Sequence, residues 1–312
     1  MPIRNYCYGP VPSRRLGFSL GVDLFPRKTC SFNCLYCQLG TSSKRTARRS
    51  SFVNRGKFRR ELSEIIKKKP KIDYITISGS GEPTLHKDLD QIIATIRKVT
   101  KHKYPIAVIT NSSLLYRRKV RQELAKADLI IPSLDAATAK TFAKINYPCK
   151  GVSFKRIVAG LIQLRKEFKG KIWLEIMLVA GVNDCTKEIK KFKSIIDKIN
   201  PDKLQLNLPV RPGRTKVSSP SQEKVAKIGK IFAGKKEAAV KFSYRKLKNK
   251  ICSDLGLNIL NFLRVRPGSL KDLAISQAVS PKQISKQLSL LLKQKLISEH
   301  RVGKIKYFII ND

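Results

Sequence analysis

Residues 30–37 read CSFNCLYC, and this octapeptide follows a Leu-, Val- and Phe-rich run at 17–24 that ends near Pro26. The run predicts a first strand, and the cysteines open the loop after it. Cys30, Cys34 and Cys37 therefore sit close together on one short loop. Three thiolates so placed can each ligate one iron of a cubane cluster, leaving the fourth iron to a non-protein ligand. Zinc is the plainer alternative, but a closed zinc site needs a fourth ligand. No second CxxC exists, and the three histidines, His86, His102 and His300, lie far apart in the chain. The spacing favours iron and sulfur.

Outward from the cysteines, apolar residues alternate between two periods. Leu62, Ile65 and Ile66 predict a helix over 58–69, and the β-branched run 73–78 a strand. Leu89, Ile92, Ile93 and Ile96 mark the next helix, then 106–110 a strand, 120–127 a helix and 129–134 a strand. Helix 154–168, strand 172–179, helix 188–199, strand 203–208 and helix 222–232 complete the series. Strict alternation predicts an α/β fold with a parallel sheet, closed into a partial (β/α)6 TIM-like barrel over residues 1–238. Residues 239–252 read as a basic linker or a last barrel strand at 238–244. Residues 253–312 form a separate pattern. Helices are expected at 255–263 and from Leu270. A third begins at Ser280 and Pro281, with Ile284, Leu288, Leu291 and Leu292 on one face. Residues 301–304 (RVGK) then read as a hairpin turn. Three helices and a hairpin resemble a winged-helix domain.

Of the 312 residues, 65 are Lys or Arg and 22 are Asp or Glu, a net charge of +43. An acidic partner is expected, and the 42% hydrophobic content excludes disorder throughout. Seven cysteines are an odd count, and residues 1–8 lack an apolar secretory core, so a disulfide framework is not expected and the location expected is cytoplasmic. Apolar runs such as 172–182 are too short to span a membrane. Cys7, Cys149, Cys185 and Cys252 read as small apolar core side chains.

CxxxCxxC on the loop after a first strand resembles the signature of the radical S-adenosylmethionine (SAM) superfamily. The resemblance implies one [4Fe-4S] cluster held by Cys30, Cys34 and Cys37, with SAM chelating the open iron through its amino and carboxylate groups. It implies reductive cleavage of SAM to methionine and a 5′-deoxyadenosyl radical, and an electron donor such as flavodoxin or ferredoxin. Tyr36 matches the aromatic residue beside the adenine. Residues 78–83 (SGSGEP) resemble the family's glycine-rich segment, which puts Gly79, Gly81 and Glu82 at the methionyl ammonium; glycine allows close backbone approach and a carboxylate accepts from an ammonium. Thr110 and Asn111, and Ser133 and Asp135, end the third and fourth strands as the family's ribose- or carboxylate-binding segments do. Glu175, on the fifth strand, faces SAM if it points inward, since a buried carboxylate is costly unless paired.

The opening GPVPSRR (9–15) resembles a subgroup related to the tRNA wyosine-base synthases. Those enzymes hold a second cluster on further upstream cysteines, whereas Cys7 alone precedes this triad, so neither a second cluster nor wyosine synthesis carries over. Arg14, Arg15, Arg211 and Arg214 are expected at the barrel rim as an anion clamp. Lys44, Arg45, Arg48, Arg49, Arg55, Lys57, Arg59 and Arg60 form an acid-free run suited equally to a phosphate backbone and to a solvated basic face. On the C-terminal domain, Lys282, Lys286, Arg301 and Lys304 are expected to reach RNA or DNA, with protein binding or dimerisation as the alternative role of such a domain. The functional expectation is a radical SAM enzyme abstracting hydrogen from an unidentified substrate, RNA foremost. Two alternatives stand beside it: action on a protein or small metabolite, and an iron-sulfur-dependent DNA-binding regulator.

Overall fold

The computed structural model describes residues 5–13, 15–40, 45–232 and 255–311. Six strands lie parallel in chain order: β2 (Gly17–Val22), β3 (Tyr74–Ile77), β4 (Ile106–Thr110), β5 (Leu129–Pro132), β6 (Lys171–Met177) and β7 (Lys203–Asn207). An antiparallel edge strand, β1 (Cys7–Ser13), pairs with β2 and completes a seven-stranded sheet ordered β1 to β7. The connections carry α1 (Arg55–Lys67), α2 (Leu89–Thr100), α3 (Arg118–Leu124), α4 (Ala139–Asn146), α5 (Phe154–Glu167) and α6 (Thr186–Ile199), and α7 (Gln222–Ile231) follows β7. This is the partial barrel that strict alternation predicts.

The period-2 geometry of strands divides their side chains between two environments. Leu20, Val22, Ile75, Ile77, Val108, Ile130, Leu174, Ile176 and Leu204 are buried in the main core with the helices. The interleaved Ser19, Thr76, Ile109, Glu175, Met177 and Asn207 line the barrel interior. Deeper inside, Leu16, Ala107, Leu129 and Ile131 form a small apolar plug.

Among the barrel's strands and α-helices, two were not expected from sequence. β1 contains Gly9, Pro10 and Pro12, residues that argue against a strand. It tolerates them because it lies at the sheet edge with an irregularity between Tyr8 and Val11. α4 is short, and begins where Thr138 accepts from the backbone of Thr141.

After the barrel come α8 (Leu255–Val265), β8 (Gly268–Ser269), α9 (Leu270–Gln277), α10 (Pro281–Lys293), β9 (Ile297–Val302) and β10 (Ile305–Ile310), with the three strands ordered β8-β10-β9. Ser280 and Gln283 cap α10 reciprocally, with Pro281 at its first turn. This module packs on the barrel through α8 and α9 against β1, and Val11 of β1 lies in one apolar cluster with Ile259, Phe262, Leu263 and Leu273. Tyr307 Oη donates to the Val210 carbonyl at 3.0 Å. The expected linker or strand at 239–252 lies outside the described residues, as do Arg14, Lys44 and Cys252. Among the other cysteines expected in the core, Cys7 is buried, Cys149 half-buried and Cys185 exposed; the last corrects the expectation, because Cys185 stands at the N-terminus of α6 facing solvent.

Candidate active site

The cysteine loop is laced to its surroundings by main-chain bonds. Thr29 N donates to Ser80 O at 3.0 Å, and Glu82 N donates back to Thr29 O at 3.0 Å. On the other side, Asn33 N and Leu35 N bond the carbonyls of Asn146 and Ile145, each at 2.9 Å. Thr215 N reaches Leu35 O at 3.0 Å. The loop is thus held between the segment after β3, the end of α4 and the segment after β7.

Two amides face the thiols. Asn111 Nδ2 lies 3.4 Å from Cys30 Sγ and 3.0 Å from Ser31 Oγ; Asn146 Nδ2 lies 3.3 Å from Cys34 Sγ. Burial pushes the Cys30 thiol up to about 12, with the charge of Glu82 adding to it. Cys34 is also raised well above the usual thiol range, first by burial and then by Asp135. Such buried groups ionise only against a bound cation, which deprotonates a coordinating thiol outright. Among the described residues, no three His, Cys, Asp or Glu side chains meet around a single-ion position. The charges of Cys37 and Cys30 both act on Cys34, so the three sulfurs stand near one another on one loop, the donor set that a cubane with one iron per thiolate uses.

A cavity of about 390 Å³ opens from Cys34, Tyr36 and Cys37 across the barrel interior. Gly79 lines it, with φ +138°, and a Cβ there would stand 2.7 Å from Asp23 Cγ. Asp23 holds the turn, accepting from Ser80 N at 3.0 Å and Ser80 Oγ at 2.5 Å. Glu175 does point inward, where it pairs with Arg15 and accepts from Asn207 Nδ2 at 3.0 Å. Arg211 also lines the cavity, and Val265 and Arg266 roof it from the C-terminal module.

Other expected ligand residues lie in the wall. Glu82 is buried and accepts from Thr84 N (3.0 Å), Thr84 Oγ1 (2.7 Å), Thr110 Oγ1 (2.6 Å) and Asn111 N (2.6 Å). Burial pushes its carboxyl up, opposed by these bonds. Glu82 and Thr110 therefore join the ends of β3 and β4 and do not line the cavity. Gly81 serves the packing of the loop, since a Cβ there would lie 2.0 Å from Thr29 O. Asn111, Ser133 and Asp135 line a narrow crevice behind the cysteines. Asp135 accepts from Tyr36 Oη, from Asn146 Nδ2 at 2.8 Å and from Met177 N at 3.0 Å, and burial raises its carboxyl. Burial, with Asp135 adding to it, raises the Tyr36 phenol as well.

Of the expected anion clamp, Arg15 and Arg211 share the cavity. Arg214 does not, because its guanidinium stacks 4.6 Å over the Tyr147 ring. Arg49, counted in the basic run, is built into the fold instead: it bonds Thr84 O and His86 O, each at 2.8 Å, and pairs with Glu123. Lys282, Lys286, Arg301 and Lys304 are all exposed on the C-terminal module. Asn146, Asp23 and Arg266 went unmarked in sequence because none sits in a motif. Asn207 had a signal, its place at the end of a strand, where barrel sites gather.

Residues 25–192 match the Radical SAM superfamily, and the chain belongs to that superfamily. It is 32% identical over 306 residues to a UPF0026 protein of Methanocaldococcus jannaschii, covering 96% of this chain and 92% of that one. It is 38% identical over 307 residues to a protein named GTPase Obg in Brachyspira hyodysenteriae, covering 97% of this chain but 45% of that longer protein. In three dimensions it resembles a radical SAM methyltransferase from Sphaerobacter thermophilus, with a TM-score of 0.53 and 15% identity over 70% of this chain and 65% of that one. At that identity the likeness concerns the fold. The protein is an enzyme of the radical SAM class, with a [4Fe-4S] cluster and SAM as its cofactors.

Proposed function

We propose that the cavity roofed by the C-terminal module is the reaction chamber, with Cys30, Cys34 and Cys37 holding the cluster at one end. When bound, the reduced cluster supplies an electron that cleaves SAM to methionine and a 5′-deoxyadenosyl radical able to take a hydrogen atom from substrate. The chain's own residues hold and orient. Asn111 and Asn146 donate toward Cys30 and Cys34 sulfur, which favours the more negative state of those sulfurs. Tyr36, tied through its hydroxyl to Asp135, and Gly79 shape the wall next to the cysteines. Glu82, through Thr110 and Asn111, sets the ends of β3 and β4 beneath them. Val265 and Arg266 cover part of the cavity mouth, which limits the access of water to a reactive carbon radical.

The observation that carries this reading is a single cavity joining the cysteine loop to polar and cationic side chains across the barrel mouth. Hydrogen abstraction from a metabolite fits a roofed cavity better than abstraction from a polynucleotide, which would have to displace the roof. Nucleic acid stays in the proposal as a partner. The capped helix α10 resembles the recognition helix of a winged-helix domain, and its exposed Lys282 and Lys286, with Arg301 and Lys304 on the hairpin, support that role.

The test is anaerobic reconstitution with iron and sulfide, reduction in the presence of SAM, and chromatography for 5′-deoxyadenosine. The intact chain is expected to form it, and Cys34→Ala to form none above background. A stable cluster with no cleavage of SAM would overturn the proposal in favour of an iron-sulfur regulator.

A further inference from the structure

We propose that the cavity selects a small organic anion, a carboxylate or phosphate gripped by Arg15 and Arg211 of the barrel and Arg266 of the C-terminal module. The inference rests on the cavity being the reaction chamber and adds what that chamber accepts. Among the described residues, the cavity lining contains three arginines and one carboxylate, Glu175, with no lysine or aspartate. Cations therefore outnumber acids among the described residues of a cleft that remains open on one side.

Arg211 is the most telling of the three. Its side chain is 6% exposed, yet its buried Nε meets no hydrogen-bond acceptor among the described residues. Its terminal nitrogen forms an ion pair with Asp272 at 3.6 Å, a separation beyond hydrogen-bond range, so the pair leaves Nε without an acceptor. Asp272 is moreover already engaged in the cap of α9, accepting from Ser269 N at 3.2 Å and Ser269 Oγ at 3.0 Å. A buried guanidinium with incomplete partners is costly, and an anion placed in the cavity supplies the missing acceptor.

The other two arginines are aimed by their neighbours. Glu175, itself held by Asn207, fixes Arg15 from the barrel side. Arg266 lies over the Phe262 ring at 4.6 Å, which directs it from the roof. Guanidinium forks match the planar geometry of carboxylates and the oxygens of phosphate, so the three suit an anion better than a neutral sugar or an amide. Because Arg266 belongs to the C-terminal module, docking of that module completes the site. Its packing on β1 thereby acquires a role in substrate selection.

The test is calorimetric binding of three probes, inorganic phosphate, glycerol 3-phosphate and citrate, to the full chain with its cluster reconstituted and SAM present. At least one probe is expected to bind saturably. Arg211→Gln and Arg266→Gln should each weaken that binding by about tenfold or more, the scale of one lost charged hydrogen bond. Arg211→Lys, which keeps the charge, should weaken it less. Lys191→Gln, which removes a charge from the exposed face of α6, should leave it unchanged. Thermal melts of each variant identify any loss caused by misfolding, and Arg266→Gln keeps the test open should Arg211→Gln unfold. Saturable binding by none of the probes, or weakening no greater than that in Lys191→Gln, overturns the inference. Formation of 5′-deoxyadenosine in the same samples separates the two claims. Cleavage without anion binding leaves the radical SAM reading intact and removes this one, whereas arginine-dependent binding without cleavage shows an anion site in the cavity but overturns the reaction-chamber reading, and with it the claim that the anion is a substrate.

Discussion

His86 shows how one buried side chain couples the basic loop to pH. It is fully buried, with Phe52 N 3.3 Å from Nε2 and Asp88 N 3.2 Å from Nδ1. A neutral ring can accept from only one of these donors, and a protonated ring from neither. Burial lowers its pKa from 6.5 to about 4, and the Arg49 guanidinium adds to the effect against Asp88. The unfolded chain therefore binds this proton more readily than the folded one between pH 6.5 and about 4, and stability rises with pH across that window. The neutral ring's contribution is complete above pH 6.5 and is lost as pH falls through 4, about 3 kcal/mol in all. Urea melts at pH 4 to 7 should show this slope, and His86→Asn should flatten it. An equal slope in the variant would assign the acid sensitivity to other groups. Glu82 teaches a similar lesson. Its motif was plain in the sequence, but its four donors all come from neighbouring backbone and threonine, contacts that no motif reveals.

Among the elements, the join between the cysteine loop and the segment after β3 is a close constraint on the site. It consists of reciprocal main-chain bonds between Thr29 and residues 80 and 82, and it brings the backbone against Gly81. A methyl at Gly81 would meet the Thr29 carbonyl at 2.0 Å, with the Phe25 ring at 2.8 Å, and neither is the free end of a flexible chain. Gly81→Ala is expected to lose about 2 kcal/mol or more in a urea melt and to hold less iron per chain after reconstitution. Full stability and full loading would show that the loop can move away without consequence. Helices and parallel strands were legible here because burial imposes periods of 3.6 and 2 on local sequence. β1 was not legible, since Pro10 and Pro12 mask a strand that only its place at the sheet edge permits. Nor was α4 marked by a period, though its last residue, Asn146, reaches Cys34.

The net charge of +43 belongs to the whole molecule, and the fold divides it unequally. Arg49 is used inside the fold, and Arg15, Arg211 and Arg266 turn toward the cavity. Arg48, Lys57, Arg59 and Arg60 remain exposed. If these four neutralise phosphates of a single-stranded RNA, binding should weaken steeply with salt. Changing all four to Gln should reduce the slope of log affinity against log salt by about 3, at roughly 0.7 per phosphate contact. An unchanged slope in filter-binding titrations would remove this surface from RNA binding. No described helix is long and apolar enough to cross a membrane.

By itself the sequence determined the alternating elements, the parallel barrel and the cysteine loop after its first strand. These follow from apolar periodicity and from spacing within a few residues, which are local properties of a chain. Only the tertiary structure decided that Arg15, Arg211 and Arg266 share one cavity while Arg214 turns to Tyr147. It alone decided that the C-terminal module roofs the barrel through Val11 and α8. Contacts between residues so distant in the chain depend on how each element buries its apolar face against the others, and no local pattern records that choice.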